Sequence, residues 1–211
     1  NGFSFNYKPM DGLKLRVALL EDLNGEGVGA GFRSARGKGY KTTAYDWTKN
    51  FSAEYTGLLG LRLGGSYTMN NAPINDDPDT TANIALLELH AKYVAHNIYA
   101  VFEYGNINYD GTNHTPSYKS SGGYYLDLGY NIASMLNLKG KIMPWFRYSD
   151  YNRGTNDDGV LPSKHYTITR FGLTFWPVDK VAFKIDFGTK KTDDTDIDDI
   201  SQLNVGVGYN F

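Results

Sequence analysis

The sequence predicts an all-β fold, a transmembrane antiparallel up-and-down β-barrel, on three observations. Apolar and polar residues alternate with a period of two along most of the chain. The connections between these stretches are short and long in turn, and no stretch sustains a 3.6-residue period. Composition agrees: 24 Gly, 17 Tyr and 11 Phe in 211 residues suit pleated, half-buried strands and disfavour helix interiors. No linker or composition break divides the chain, so residues 1–211 read as a single domain.

Eleven strands follow in order, near 3–8, 12–21, 43–57, 60–70, 81–95, 97–108, 121–133, 139–152, 164–176, 180–191 and 201–211. In the second, Leu13, Leu15, Val17 and Leu19 oppose Lys14 and Arg16; in the fourth, Leu61, Leu63 and Tyr67 oppose Arg62, Gly64 and Ser66. The seventh sets Tyr124, Leu126, Leu128 and Tyr130 against Tyr125, Asp127 and Gly129. The eighth sets Ile142, Pro144, Phe146 and Tyr148 against Lys141, Trp145 and Arg147. The tenth sets Val181, Phe183, Ile185 and Phe187 against Lys184 and Asp186, and the last carries Leu203, Val205, Val207, Tyr209 and Phe211 on one face. Short connections fall near 9–11, 57–59, 95–97, 134–138 and 177–179; long polar ones fill 22–42, 71–80, 109–119, 153–163 and 192–200. Residues 27–36 read as loop, because a strand there would reverse every later one. Bacterial single-chain barrels have even strand counts. The odd count therefore points to sequence before Asn1, one strand completing twelve or five completing sixteen.

Several classes are excluded. Twenty-one Lys and Arg against 23 Asp and Glu give a net charge of -2, without the basic excess of a nucleic-acid binder. The absence of Cys removes disulfides, thiolate metal sites and a thiol nucleophile. Apolar runs are too short for a transmembrane helix, and Asn1-Gly2-Phe3 opens in strand-like sequence with no leader, as in a mature or trimmed chain or a fragment. A soluble sandwich or lipocalin-like barrel shares the alternation. Aromatics near strand ends and a charged, glycine-rich opposite face favour the membrane barrel.

The polar face carries eight cations, Lys14, Arg16, Arg62, Lys92, Lys141, Arg147, Arg170 and Lys184. Against them stand five anions, Glu54, Glu88, Glu103, Asp127 and Asp186. These residues are candidates to line a pore, where a positive balance between low-dielectric walls favours anions. The competing reading is that they pair across strands and stiffen a narrow interior. Arg147, Arg170 and Lys184 share the inward parity on consecutive strands and form a candidate basic strip, spread over roughly four residues or ~13 Å in height. The aspartates of 76–79 and 193–199 lack the glycine and terminal glutamate of an EF-hand and read as solvated loops; no metal site and no cofactor are expected. Ser163 and His165 are ~6.6 Å apart along a strand, too far for a catalytic pair, and His90 reads as a lumen residue. No enzyme is expected.

Four stretches carry a resemblance: Gly123-Tyr-Tyr-Leu-Asp-Leu-Gly-Tyr-Asn, Pro144-Trp-Phe-Arg-Tyr-Ser-Asp-Tyr-Asn, the run from Phe171 to Phe187, and Leu203-Asn-Val-Gly-Val-Gly-Tyr-Asn-Phe. In this order and spacing they resemble the C-terminal part of Gram-negative outer-membrane porins, and among these the phosphate-selective-porin-like group, over most of residues 43–211. The resemblance implies an assembly signal at Tyr209 and Phe211, read by the outer-membrane assembly machinery. The expected function is a bacterial outer-membrane channel for passive diffusion of small hydrophilic solutes, with a mild anion preference. A plugged or narrow barrel serving as adhesin, receptor or structural anchor is the alternative. Expected partners are outer-membrane lipids and lipopolysaccharide, small solutes including anions, and further copies of the chain in a homo-trimer, but no nucleic acid.

Overall fold

A computed structural model of the chain describes residues 1–26, 35–37, 39–110 and 118–210. Its strands are β1 (Gly2–Met10), β2 (Leu13–Leu20), β3 (Thr48–Tyr55), β4 (Leu61–Ile74), β5 (Asp77–Ala95), β6 (Ile98–Asp110), β7 (Ser120–Tyr130), β8 (Lys141–Asn156), β9 (Gly159–Val160), β10 (His165–Val178), β11 (Val181–Thr192) and β12 (Ile200–Tyr209). Every pairing is antiparallel and follows chain order, except that β9 pairs only with β8. The eleven expected wall strands are therefore all present. The twelfth, β9, is a two-residue return within the stretch 153–163 that reads as loop in the sequence. Among the described residues no ladder joins β1 to β12, and both strands are exposed along their whole length.

One connection differs from expectation. Residues 71–80 are a tight hairpin, with β4 and β5 meeting at Asn75 and Asp76, whose φ angles are 54° and 57°. His96 and Asn97, at 53° and 64°, turn β5 into β6 in the same way. Two consecutive left-handed residues make the turn whose twist matches that of the strands it joins, and Asn and Asp tolerate that conformation better than most. The prolines and aspartates that suggested a long loop are absorbed at this outer end, where Pro73 still pairs with Thr81 before the register shifts. Most of residues 27–36, namely 27–34, lie outside the described residues.

The register settles which residues share a face. On the outer side Phe102 meets Tyr124, Tyr124 meets Tyr148 and Phe146 meets Phe171, with ring centroids 6.2, 6.1 and 5.0 Å apart. These rows stay exposed: Phe171, Phe187 and Val205 are 59%, 52% and 76% accessible. A water-soluble domain would bury such rows, whereas a lipid-facing wall presents them. The apolar band has an upper limit. On β10 the outer row runs Phe175, Leu173, Phe171 and then Thr169, Thr167, His165; on β11 it runs Val181 to Phe187 and then Thr189, Lys191.

The inner face is polar and glycine-rich, and the glycines make room for large neighbours. Trp145 lies across Gly172, Arg170 across Gly188 and His90 across Gly64, each so close that a Cβ on the glycine would collide with the covering side chain. Gly206, by contrast, faces open space. Leu128→Arg, on the outer face, should cost ~2–4 kcal/mol near the bilayer midplane, whereas Gly206→Arg should fold at wild-type yield. Heat-modifiable gel migration of the two variants in detergent is the measurement, and equal yields would contradict the face assignment.

Candidate channel lining

One hydrogen-bonded rung crosses the inner face from β4 to β12. It runs Arg62, Lys92, Val101, Asp127, Arg147, Arg170, Gly188, Gln202. Arg147 and Arg170 are direct cross-strand partners, level with each other, so the basic strip does not climb evenly as the turn positions suggest. Only Lys184, opposite Thr174, sits four rungs away. Turn-based heights miss this because the 134–138 connection carries residues that lie outside the ladder.

Most charges on this part of the wall are neutralised locally. Arg147 donates from Nε and Nη2 to the two oxygens of Asp127, both at 2.5 Å. Asp186, only 4% exposed, accepts from Arg170 at 2.9 Å and from Asn204 at 2.9 Å, with Lys184 Nζ at 3.4 Å. Arg170 also donates to Gln202 at 2.8 Å. Arg62 approaches Glu54 at 3.6 Å, and Lys141 approaches Asp179 at 3.4 Å on the short-turn rim. Glu88 accepts from Ser66 and bonds His90 at 2.6 Å, and Glu103 accepts from Tyr125. Lys14, Arg16 and Lys92 also lie on the inner face, and among the described residues they make no ion pair. The aromatics lie along the wall: the Arg147 guanidinium stands 5.0 Å from the Tyr125 ring centroid, Lys184 Nζ 4.5 Å from that of Trp145, and Trp145 Nε1 donates to Thr174 at 3.1 Å. Tyr99, Asp127, Trp145, Arg147, Thr174 and Lys184 border a recess of about 820 Å³ in this surface.

The described residues of the connection between β2 and β3 pack onto the same face. Leu23 and Ala35 pack on Ala72, Ile84 and Tyr109. Asn70, Ile84 and Tyr109 form one inner rung of β4, β5 and β6. A buried polar latch fixes the base of this connection. Asp22, 2% exposed, accepts from Thr43 Oγ1 at 3.0 Å, from the N–H groups of Tyr45 and Asp46 at 2.6 and 3.3 Å, and from Asn70 Nδ2 at 3.1 Å. Asn70 Oδ1 in turn accepts from the Leu23 N–H at 2.9 Å. Burial works to raise the Asp46 carboxyl, but the Asn71 N–H and Lys49 outweigh it and hold the group below its ordinary range. That contribution is complete above the ordinary carboxylate range and is lost as pH falls through the lowered value.

Of the residues singled out from sequence, Lys14, Arg16, Arg62, Glu88, Lys92, Glu103, Asp127, Arg147, Arg170, Lys184 and Asp186 share the inner face. Arg62, Lys92, Asp127, Arg147 and Arg170 share one rung, Arg16 shares another with Glu88, and Lys14 a third with Glu103. Tyr209 lies on the outer face of β12, and Phe211 lies outside the described residues. Asp22 and Asn70 were not foreseen; a lone Asp after a strand and an Asn on an inner row carry no distinctive pattern. Both ring nitrogens of His165 are taken up by carboxylates, leaving none for Ser163.

No protein-family model matches the sequence, and no curated protein matches it. Solved structures do share the fold. The outer membrane channel DcaP of Acinetobacter baumannii aligns over 99% of this chain at 12% identity, with a TM-score of 0.58. A porin aligns over 100% at 14% identity with a TM-score of 0.57. OmpTdeltaL8, an outer membrane protein of Vibrio cholerae lacking loop L8, aligns over 98% at 11% identity with a TM-score of 0.56. The chain spans 61% of the length of each of these three proteins. At such identities the likeness is one of fold, an up-and-down antiparallel wall of the kind these outer-membrane proteins have.

Proposed function

We propose that the chain belongs to a channel in the outer membrane of a Gram-negative bacterium, through which small hydrophilic solutes diffuse without chemical turnover. The observation that carries this reading is the polarity of the sheet. Its outer rows are exposed and apolar, while its inner rows hold ion pairs, unpaired lysine and arginine, and a connection folded against the wall. Selection then rests on the width left by that connection and on the field of the inner face. Purified protein in a planar bilayer should give discrete, ohmic conductance steps. Absence of any conductance would favour a narrow or plugged barrel acting as adhesin, receptor or anchor, a reading that the inward-folded connection supports.

The mild anion preference belongs to the same proposal, but local pairing moves its source. Lys14, Arg16 and Lys92 carry the uncompensated positive charge, set against Glu88 and Glu103, which have no Lys or Arg partner among the described residues, and Arg147, Arg170 and Lys184 are largely balanced by Asp127 and Asp186. Replacing Lys14, Arg16 and Lys92 by Glu should reverse the reversal potential measured in a salt gradient, most clearly at low ionic strength, where the Debye length is long. Unchanged selectivity in an open triple variant would remove these three residues as the filter. Phosphate is the anion to compare first with chloride, given the resemblance to the phosphate-selective group. The same proposal places lipid and lipopolysaccharide against the outer rows, further copies of the chain in a homo-trimer, and Tyr209 with Phe211 as the signal for assembly.

A further inference from the structure

Above the apolar band, His165 opens β10 on the outer face and bridges β8 and the connection after β11. Its Nδ1 lies 2.7 Å from Asp193, which follows β11, and its Nε2 lies 2.9 Å from Asp150 of β8. A neutral imidazole has one N–H and one lone pair, so it cannot donate to two carboxylates at once; only the doubly protonated ring satisfies both contacts. The bridge also closes one end of the β11–β12 connection, residues 193–199. The other end is fastened by Lys191, whose Nζ lies 3.0 Å from Asp199.

We propose that His165 is a pH-operated clasp, holding the 193–199 connection against the wall when its ring is charged and releasing the Asp193 end when it loses a proton. Asp193 is the partner that leaves, because it is 59% exposed against 30% for Asp150, and Asp150 keeps a further donor in the Tyr148 hydroxyl at 3.4 Å. The groups facing the ring are Asp150 with Tyr148 from β8 and Asp193 from the connection after β11. The basic side chains on adjoining segments are Lys164, the residue before it, and Lys191, which Asp199 engages. The hydrogen bond to Asp150 is the leading influence and, with Asp193, raises the imidazole above its ordinary value against a smaller desolvation effect. A raised histidine contributes fully below its ordinary value, and the contribution disappears as pH rises through the raised one. Release therefore occurs on the alkaline side, and it frees a segment carrying Asp193, Asp194, Asp196 and Asp198, with Asp199 still held by Lys191.

The absence of native cysteine makes the test direct. Ile197→Cys, carrying a nitroxide spin label, reports the mobility of the connection by electron paramagnetic resonance in detergent or lipid. The mobile fraction should rise severalfold between about pH 5.5 and about pH 9, with a midpoint above the ordinary imidazole value of ~6.5. In I197C/H165A and in I197C/D193N the label should be mobile throughout, with no midpoint. D193N alters an exposed loop position, so it keeps the test valid if His165→Ala fails to fold, as judged by gel migration. A label equally restrained at both pH extremes overturns the clasp, and so does a pH profile that survives either substitution.

Discussion

Asp22→Ala should make the proposed channel noisier and wider. The carboxylate is buried and accepts four hydrogen bonds, three of them from residues 43–46 and the fourth from Asn70. Alanine leaves those donors facing a cavity, at ~1–3 kcal/mol for each that water does not reach. The wall itself needs none of these bonds, since the ladders of β2, β3 and β4 are complete without them. The connection is therefore the part that yields, and Leu23 and Ala35 lose their seat on Ala72, Ile84 and Tyr109. Single-channel recordings should show larger unitary conductance with added flicker, and limited proteolysis should cut the connection while the barrel stays heat-modifiable. Asn70→Ala should have much the same effect, and the double variant little more, because both residues act through one latch. An Asp22→Ala channel with wild-type conductance and protease resistance would show that the latch does not hold the constriction.

The second large effect concerns folding rather than permeation. Arg147→Ala should lower the yield of folded protein sharply, because it strands Asp127, which is 7% exposed and accepts two guanidinium bonds. Breaking a fully buried pair on one side costs ~3–5 kcal/mol, and with Arg147 44% exposed the loss here falls below that range, whereas replacing both charges together is often close to neutral. Arg147→Leu combined with Asp127→Leu should therefore recover most of the loss. Denaturant titration followed by gel migration distinguishes the two. If the single and double variants were equally impaired, the pair would matter for something other than its buried charge. Lys92→Gln, on the same rung but without an ionic partner, provides the comparison and should fold normally.

The two faces of the wall were legible because a period of two leaves no freedom: once Leu203, Val205 and Val207 point one way, Asn204 and Gly206 must point the other. Strand ends were harder. Asn75 and Asp76 look in sequence like part of a ten-residue loop, since the signal for a tight turn is a backbone conformation that several polar residues can adopt. The inner charges were legible as a set but not as pairs. Pairing depends on register, and nothing local reveals that Arg170 stands opposite Arg147 while Asp186 stands opposite Gly172. The inward path of the β2–β3 connection was illegible, because its latch joins Asp22 to a residue 48 positions away.

If the wall lines a channel as proposed, the glycines beneath Trp145, Arg170 and His90 give it a means of changing what it admits while its charge stays constant. A side chain at Gly172 would evict the indole from its shelf, break its bond to Thr174 and swing about ten heavy atoms toward the axis. The same holds for the Arg170 methylene stem over Gly188 and the imidazole over Gly64. Calibre is thus stored in positions that have no side chain at all.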